Sequence, residues 1–192
     1  MDWNLSLASL VAAIALAAPA VAQDLPEDPG AARTVGMFDL FCFSQVPDIT
    51  AIAAIADGSF DEIQGAERQQ YLPTGMSGDV RAWRFSDLGQ DYVLTTLRTA
   101  PDDAFKADFP DFAESTSYGC SLILPQQDPQ ADILREMTGL LEREPDESWD
   151  QEPLTVNSWS GQTESLMVNV FHYAPEDGRP GGLLSVVTFV KE

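Results

Sequence analysis

Apolar residues recur at helical spacing in three stretches of the chain. From about Ala32 to Gln45, the residues Phe38, Phe41, Cys42 and Gln45 share one face, so Cys42 points inward. Pro47 interrupts this helix. Asp48 to Asp57 resumes it with Ile49, Ile52, Ala53 and Ala56 on one side and Gly58 as its stop. The third stretch opens at Asp128-Pro129, an N-cap followed by proline at the first helical position. Ile133, Leu134, Met137, Leu140 and Leu141 form its stripe, and Pro145 ends it. Stripes of this width cover a core.

Between and after these helices the period shortens to two, and six strands are predicted. They are Asp79 to Phe85, Tyr92 to Thr99, Ser117 to Leu124, Leu154 to Trp159, Ser165 to Tyr173 and Leu183 to Lys191. Gln64 to Tyr71 reads as a short helix. Pro73 to Gly78 reads as a loop, as do the acidic connections Ala100 to Ser115 and Asp146 to Pro153. Ser160-Gly161-Gln162 and Pro175 to Gly182 read as turns.

The order is helix, three strands, helix, three strands. Tyr92 to Ala100 parallels Leu166 to Ala174 in pattern, and Tyr118 to Leu124 parallels Leu183 to Phe189. The expected fold class is α+β: one antiparallel sheet of about six strands, two main helices on one face, and a duplicated helix-plus-three-strands unit as one reading. The opposite sheet face is then left to water or a partner.

The first residues change the picture of where this fold works. Leu5 to Ala18 is an apolar run, followed by Pro19 and the small-x-small triplet Ala20-Val21-Ala22. It is too short to span a bilayer and has signal-peptide length, although its start carries Asp2 and no basic residue. The expected domains are therefore a signal peptide at 1–22, a flexible Pro- and acid-rich segment at 23–31, and one α+β domain at 32–192. No cysteine follows the apolar run, so no lipid anchor is expected.

Charge narrows the partners. The 192-residue chain has 31 acidic and 10 basic residues, a formal net charge of −21. Removing 1–22 takes away Asp2 alone and leaves −20. A chain this acidic lacks the basic footprint that nucleic acid and anionic membranes require. Its acids are scattered, which fits a solvated surface better than a single patch.

Two cysteines, Cys42 and Cys120, in an exported chain suggest one disulfide. Closing so long a loop contributes roughly 4–5 kcal/mol in the chain-entropy treatment. Two separate buried thiols are the competing reading. A catalytic cysteine fits poorly beside a single histidine and no Cys-x-x-Cys.

Motifs for chemistry are sparse. His172 is the only histidine. A hydrolase reading pairs it with Ser121 or Ser185 from neighbouring strands, but no nucleophile-elbow sequence is present. No metal site or cofactor is expected: Asp57 to Glu62 lacks the alternating ligands of a calcium loop, and no glycine-rich phosphate loop precedes a helix. Trp149 and Trp159, near loop ends and beside acids, are candidate binding residues together with His172.

Several short motifs resemble an uncharacterised family of proteobacterial periplasmic proteins and lipoproteins. They are Phe41-Cys42 on the first helix, Tyr71-Leu72 before a Gly-rich loop, Ala82-Trp83, Tyr92-Val93-Leu94, and Gly119-Cys120-Ser121. The match spans about residues 35–124 and the helix after it. The resemblance implies a periplasmic address and the disulfide, and no activity. The functional expectation is a non-catalytic module that binds or inhibits another envelope protein through a sheet face or strand edge. The alternatives are the His172 hydrolase and a carrier of a small apolar ligand.

Overall fold

The structure is a computed structural model and describes residues 29–71, 78–125, 130–175 and 181–191. Eight antiparallel strands form one sheet. They are β1 (Asp61–Ile63), β2 (Asp79–Asp87), β3 (Gln90–Thr99), β4 (Thr116–Ile123), β5 (Glu147–Gln151), β6 (Leu154–Gln162), β7 (Leu166–Pro175) and β8 (Leu183–Val190). Five α-helices accompany them among the described residues: α1 (Pro29–Phe38), α2 (Ile49–Asp57), α3 (Gly65–Arg68), α4 (Asp103–Asp108) and α5 (Gln130–Leu141). A single π-helical turn, Asp39–Phe43, extends α1.

The six predicted strands are present, and the expected sheet of six is corrected to eight. Both additions are edge strands. β1 has only three residues, and all five residues of β5 are exposed, so neither carries an apolar alternation. The acidic connection after β3 contains α4, whose first turn Asp102 caps by accepting from the Phe105 N–H at 2.8 Å. Helix α1 starts at Pro29, inside the segment expected to be flexible. The leader, the loop at 72–77, the cap at Asp128-Pro129 and the turn at 176–180 lie outside the described residues.

Strand order across the sheet is β1-β2-β3-β4-β8-β7-β6-β5. Each half is a four-strand meander, and the halves join where β4 pairs with β8 around Ser121 opposite Ser185. Cross-strand neighbours share a sheet face. One row therefore runs Trp83, Leu94, Leu122, Leu184, His172, Asn157. The adjacent row on the same face runs in the opposite sense: Trp159, Val170, Val186, Cys120, Thr96, Arg81. The two rows exchange under a two-fold through the β4–β8 pair, and each begins with a buried tryptophan.

This face holds the core. Phe38 from α1, Cys42 from the π-turn, Ile52 and Ala56 from α2, and Ile133 and Met137 from α5 cover the two rows. Helix α1 packs along α5, so three helical segments rather than two roof the sheet here. Cys42 and Cys120 are bonded at S–S 2.01 Å with Cα atoms 5.3 Å apart, which ties the roof to the central strand β4. Both tryptophan N–H groups are satisfied despite burial: Trp83 donates to Asp57 Oδ1 at 2.9 Å and Trp159 to the Arg143 carbonyl at 3.0 Å. No helix among the described residues is long and apolar enough to cross a membrane.

Candidate binding groove on the open sheet face

The residues between those core positions point to the other side of the sheet, because side chains alternate along a strand. There the cover is partial. Phe105 of α4 stacks on Phe189 of β8 with ring centroids 3.8 Å apart. Phe112, which follows α4, packs with Phe189 and Met167 in a separate small cluster. These contacts close one end of the face, and Tyr71, after α3, stands at one flank. What remains is a groove of about 810 Å³.

Its walls are apolar. Val80, Leu97, Ile123, Phe171, Leu183 and Val187 line it from five strands. A narrow polar strip crosses the floor through Thr95, Ser121 and Ser185, consecutive neighbours on β3, β4 and β8. The Ser121 and Ser185 hydroxyls share a hydrogen bond of 2.9 Å at the junction of the two meanders. Gly119 deepens the floor beside them: a Cβ there would meet Leu97 Cβ only at 3.7 Å and Val187 Cγ2 at 3.9 Å. Asp102 is the single charged residue among the described lining residues, and its side chain caps α4. Burial pushes the Tyr173 phenol up, so it stays a neutral hydrogen-bonding group on the groove wall.

The candidate residues read from the sequence fall in three places. Trp149 is on edge strand β5, 40% exposed, and shares the open face through its pairing with Val156. Trp159 and His172 face the helices, each only 1% exposed, and so belong to the core. Ser121 and Ser185 are on the open face, so the sheet stands between them and the imidazole. Neither of these serines pairs with His172. Burial lowers His172 from the ordinary 6.5 to about 4, and its Nδ1 lies 3.5 Å from the Asn157 side-chain amide. The imidazole is thus enclosed and neutral at neutral pH.

The acidic stretch Asp57 to Glu62 serves Arg81. Its guanidinium meets Asp57 Oδ1 at 2.7 Å and Glu62 Oε1 at 2.7 Å while lying over the Trp83 ring. Hydrogen bonds from Arg81, then from Trp83, hold the Asp57 carboxyl below the usual aspartate range. No group of three or more His, Cys, Asp or Glu suited to a metal ion occurs among the described residues.

The groove-lining residues were not separable from other strand residues by sequence. Val80, Leu97 and Val187 alternate like any strand positions, and only the register places them together. No family model, curated protein or solved structure matches the chain.

Proposed function

We propose that this chain is an exported, non-catalytic binding protein and that its binding surface is the open sheet face. The observation that carries this reading is the groove itself. It is a concave apolar surface of about 810 Å³ crossed by a few hydroxyls, within the roughly 300–1,000 Å³ typical of small-ligand sites. Export is supported by the Cys42–Cys120 disulfide and the apolar leader sequence. The mirrored tryptophan rows support a reading of the two meanders as copies of one helix-plus-strands unit. The likeness to periplasmic proteins of the Gly-Cys-Ser type adds a periplasmic address to the same reading.

The test uses a neutral fluorescent apolar probe, N-phenyl-1-naphthylamine. Saturable enhancement is expected with the wild-type protein. Gly119→Leu, which fills the floor, and Leu97→Asp, which charges the wall, should each abolish it while circular dichroism stays native. Unchanged probe binding in both folded variants overturns the assignment.

A second reading has a strand of another envelope protein adding to β5. It is favoured by the complete exposure of β5 and by Trp149 on that edge. Under this reading Trp149→Ala weakens capture of the partner and Gly119→Leu does not. The reverse pattern removes it.

A further inference from the structure

The groove joins features that select strongly on charge. Its walls are mainly apolar side chains from both meanders. Its floor carries hydroxyls and the Asn169 amide, and no cation is among its described lining residues. The one carboxylate among its described lining residues, Asp102, already accepts from the Phe105 backbone N–H. The chain around it has a formal net charge of −21. A charged headgroup brought into this groove would lose hydration, and an anion would meet no opposite charge among the described lining residues. The field of the whole chain adds a further penalty for anions alone.

The hydroxyl pair supplies what a neutral ligand needs. When Ser121 and Ser185 share one hydrogen bond, one O–H and spare acceptor lone pairs remain on the two oxygens. They can take a hydroxyl or carbonyl placed midway along an apolar body. A bound group there is flanked by Thr95 on one side and Phe171 on the other.

Resting on the binding-protein reading above, we propose that the groove takes an uncharged apolar small molecule bearing a hydroxyl or carbonyl, and that it discriminates against carboxylate amphiphiles of the same chain length. The occupant is seated with its polar group on the Ser121–Ser185 pair and its apolar body between the Leu97 and Val187 walls.

The experiment displaces N-phenyl-1-naphthylamine from the full chain with three ligands of equal chain length, each below its micellar concentration. These are 1-dodecanol, dodecyltrimethylammonium and dodecanoate. The expected order of potency is alcohol, then cation, then carboxylate, with at least a tenfold gap between first and last. Ser121→Ala/Ser185→Ala should narrow the gap by weakening the alcohol. Val187→Lys should narrow it by giving the carboxylate a partner. Dodecanoate displacing the probe as well as or better than dodecanol overturns this inference while leaving the binding-protein reading intact. A probe that never binds, or binds equally to Gly119→Leu, overturns both.

Discussion

Acid should weaken this fold through one buried imidazole. His172 is enclosed between Leu184 on β8 and Asn157 on β6, on the helix-covered face of the sheet. Burial holds its folded pKa at about 4, against the ordinary 6.5 of an unfolded chain. The unfolded state therefore takes up the proton first as pH falls. His172 costs the fold nothing above pH 6.5, and an increasing amount from there down to about pH 4, where the loss levels off. At about 1.4 kcal/mol per pKa unit, the loss between pH 7 and pH 4.5 is roughly 2 kcal/mol. The assay is urea unfolding of wild type and His172→Gln at both pH values. Carboxylate effects are common to the two proteins, so the difference of differences isolates the imidazole. The variant should lose roughly 2 kcal/mol less than wild type on acidification. Equal losses would refute an enclosed, neutral His172.

Three other outcomes follow from the same structure. Replacing both cysteines, Cys42→Ala/Cys120→Ala, should lower the unfolding free energy by about 4 kcal/mol. The bond closes a sequence separation of 78 residues, and wild type under reductant should approach the variant. Trp83→Ala and Trp159→Ala should cost similar amounts, about 3–5 kcal/mol each, because the two rings occupy matching positions in mirrored rows; a large disparity in urea midpoints would count against the symmetry. Carbon-detected NMR titration of Asp57 should give a midpoint below 3.8, moving up toward that value in Arg81→Ala.

The helical stripes and the alternating strands were legible because they are half-buried and so carry a period. Phe38 and Cys42 point inward as their spacing indicates, and Ile133 and Met137 cover the sheet as theirs does. The disulfide was legible for a different reason: a chain with two cysteines has only one internal pairing to make. Strands β1 and β5 escaped notice because an exposed edge strand has no buried side to impose alternation. Trp159 looked like a loop-end aromatic until β6 extended to Gln162 and turned the ring toward the helices.

The groove was legible only as a face. That one side of the sheet would be left without the main helices followed from the count of amphipathic stripes. Which residues meet there depends on pairing β4 with β8, two strands 60 or more residues apart in the chain, and no local pattern encodes that pairing. The hydroxyl strip is of the same kind: Thr95, Ser121 and Ser185 are ordinary strand residues until register aligns them. α4 and Phe112, which close one end, lie in a connection whose acidic composition masked its structure.

The most direct measurement is an amide NMR titration of the isotope-labelled protein with the neutral probe. Shift changes should concentrate at Leu97, Gly119, Ser185 and Val187 and spare α1 and α2 on the opposite side of the sheet. Changes centred instead on those helices, or none at saturating probe, would contradict a binding site on the open face.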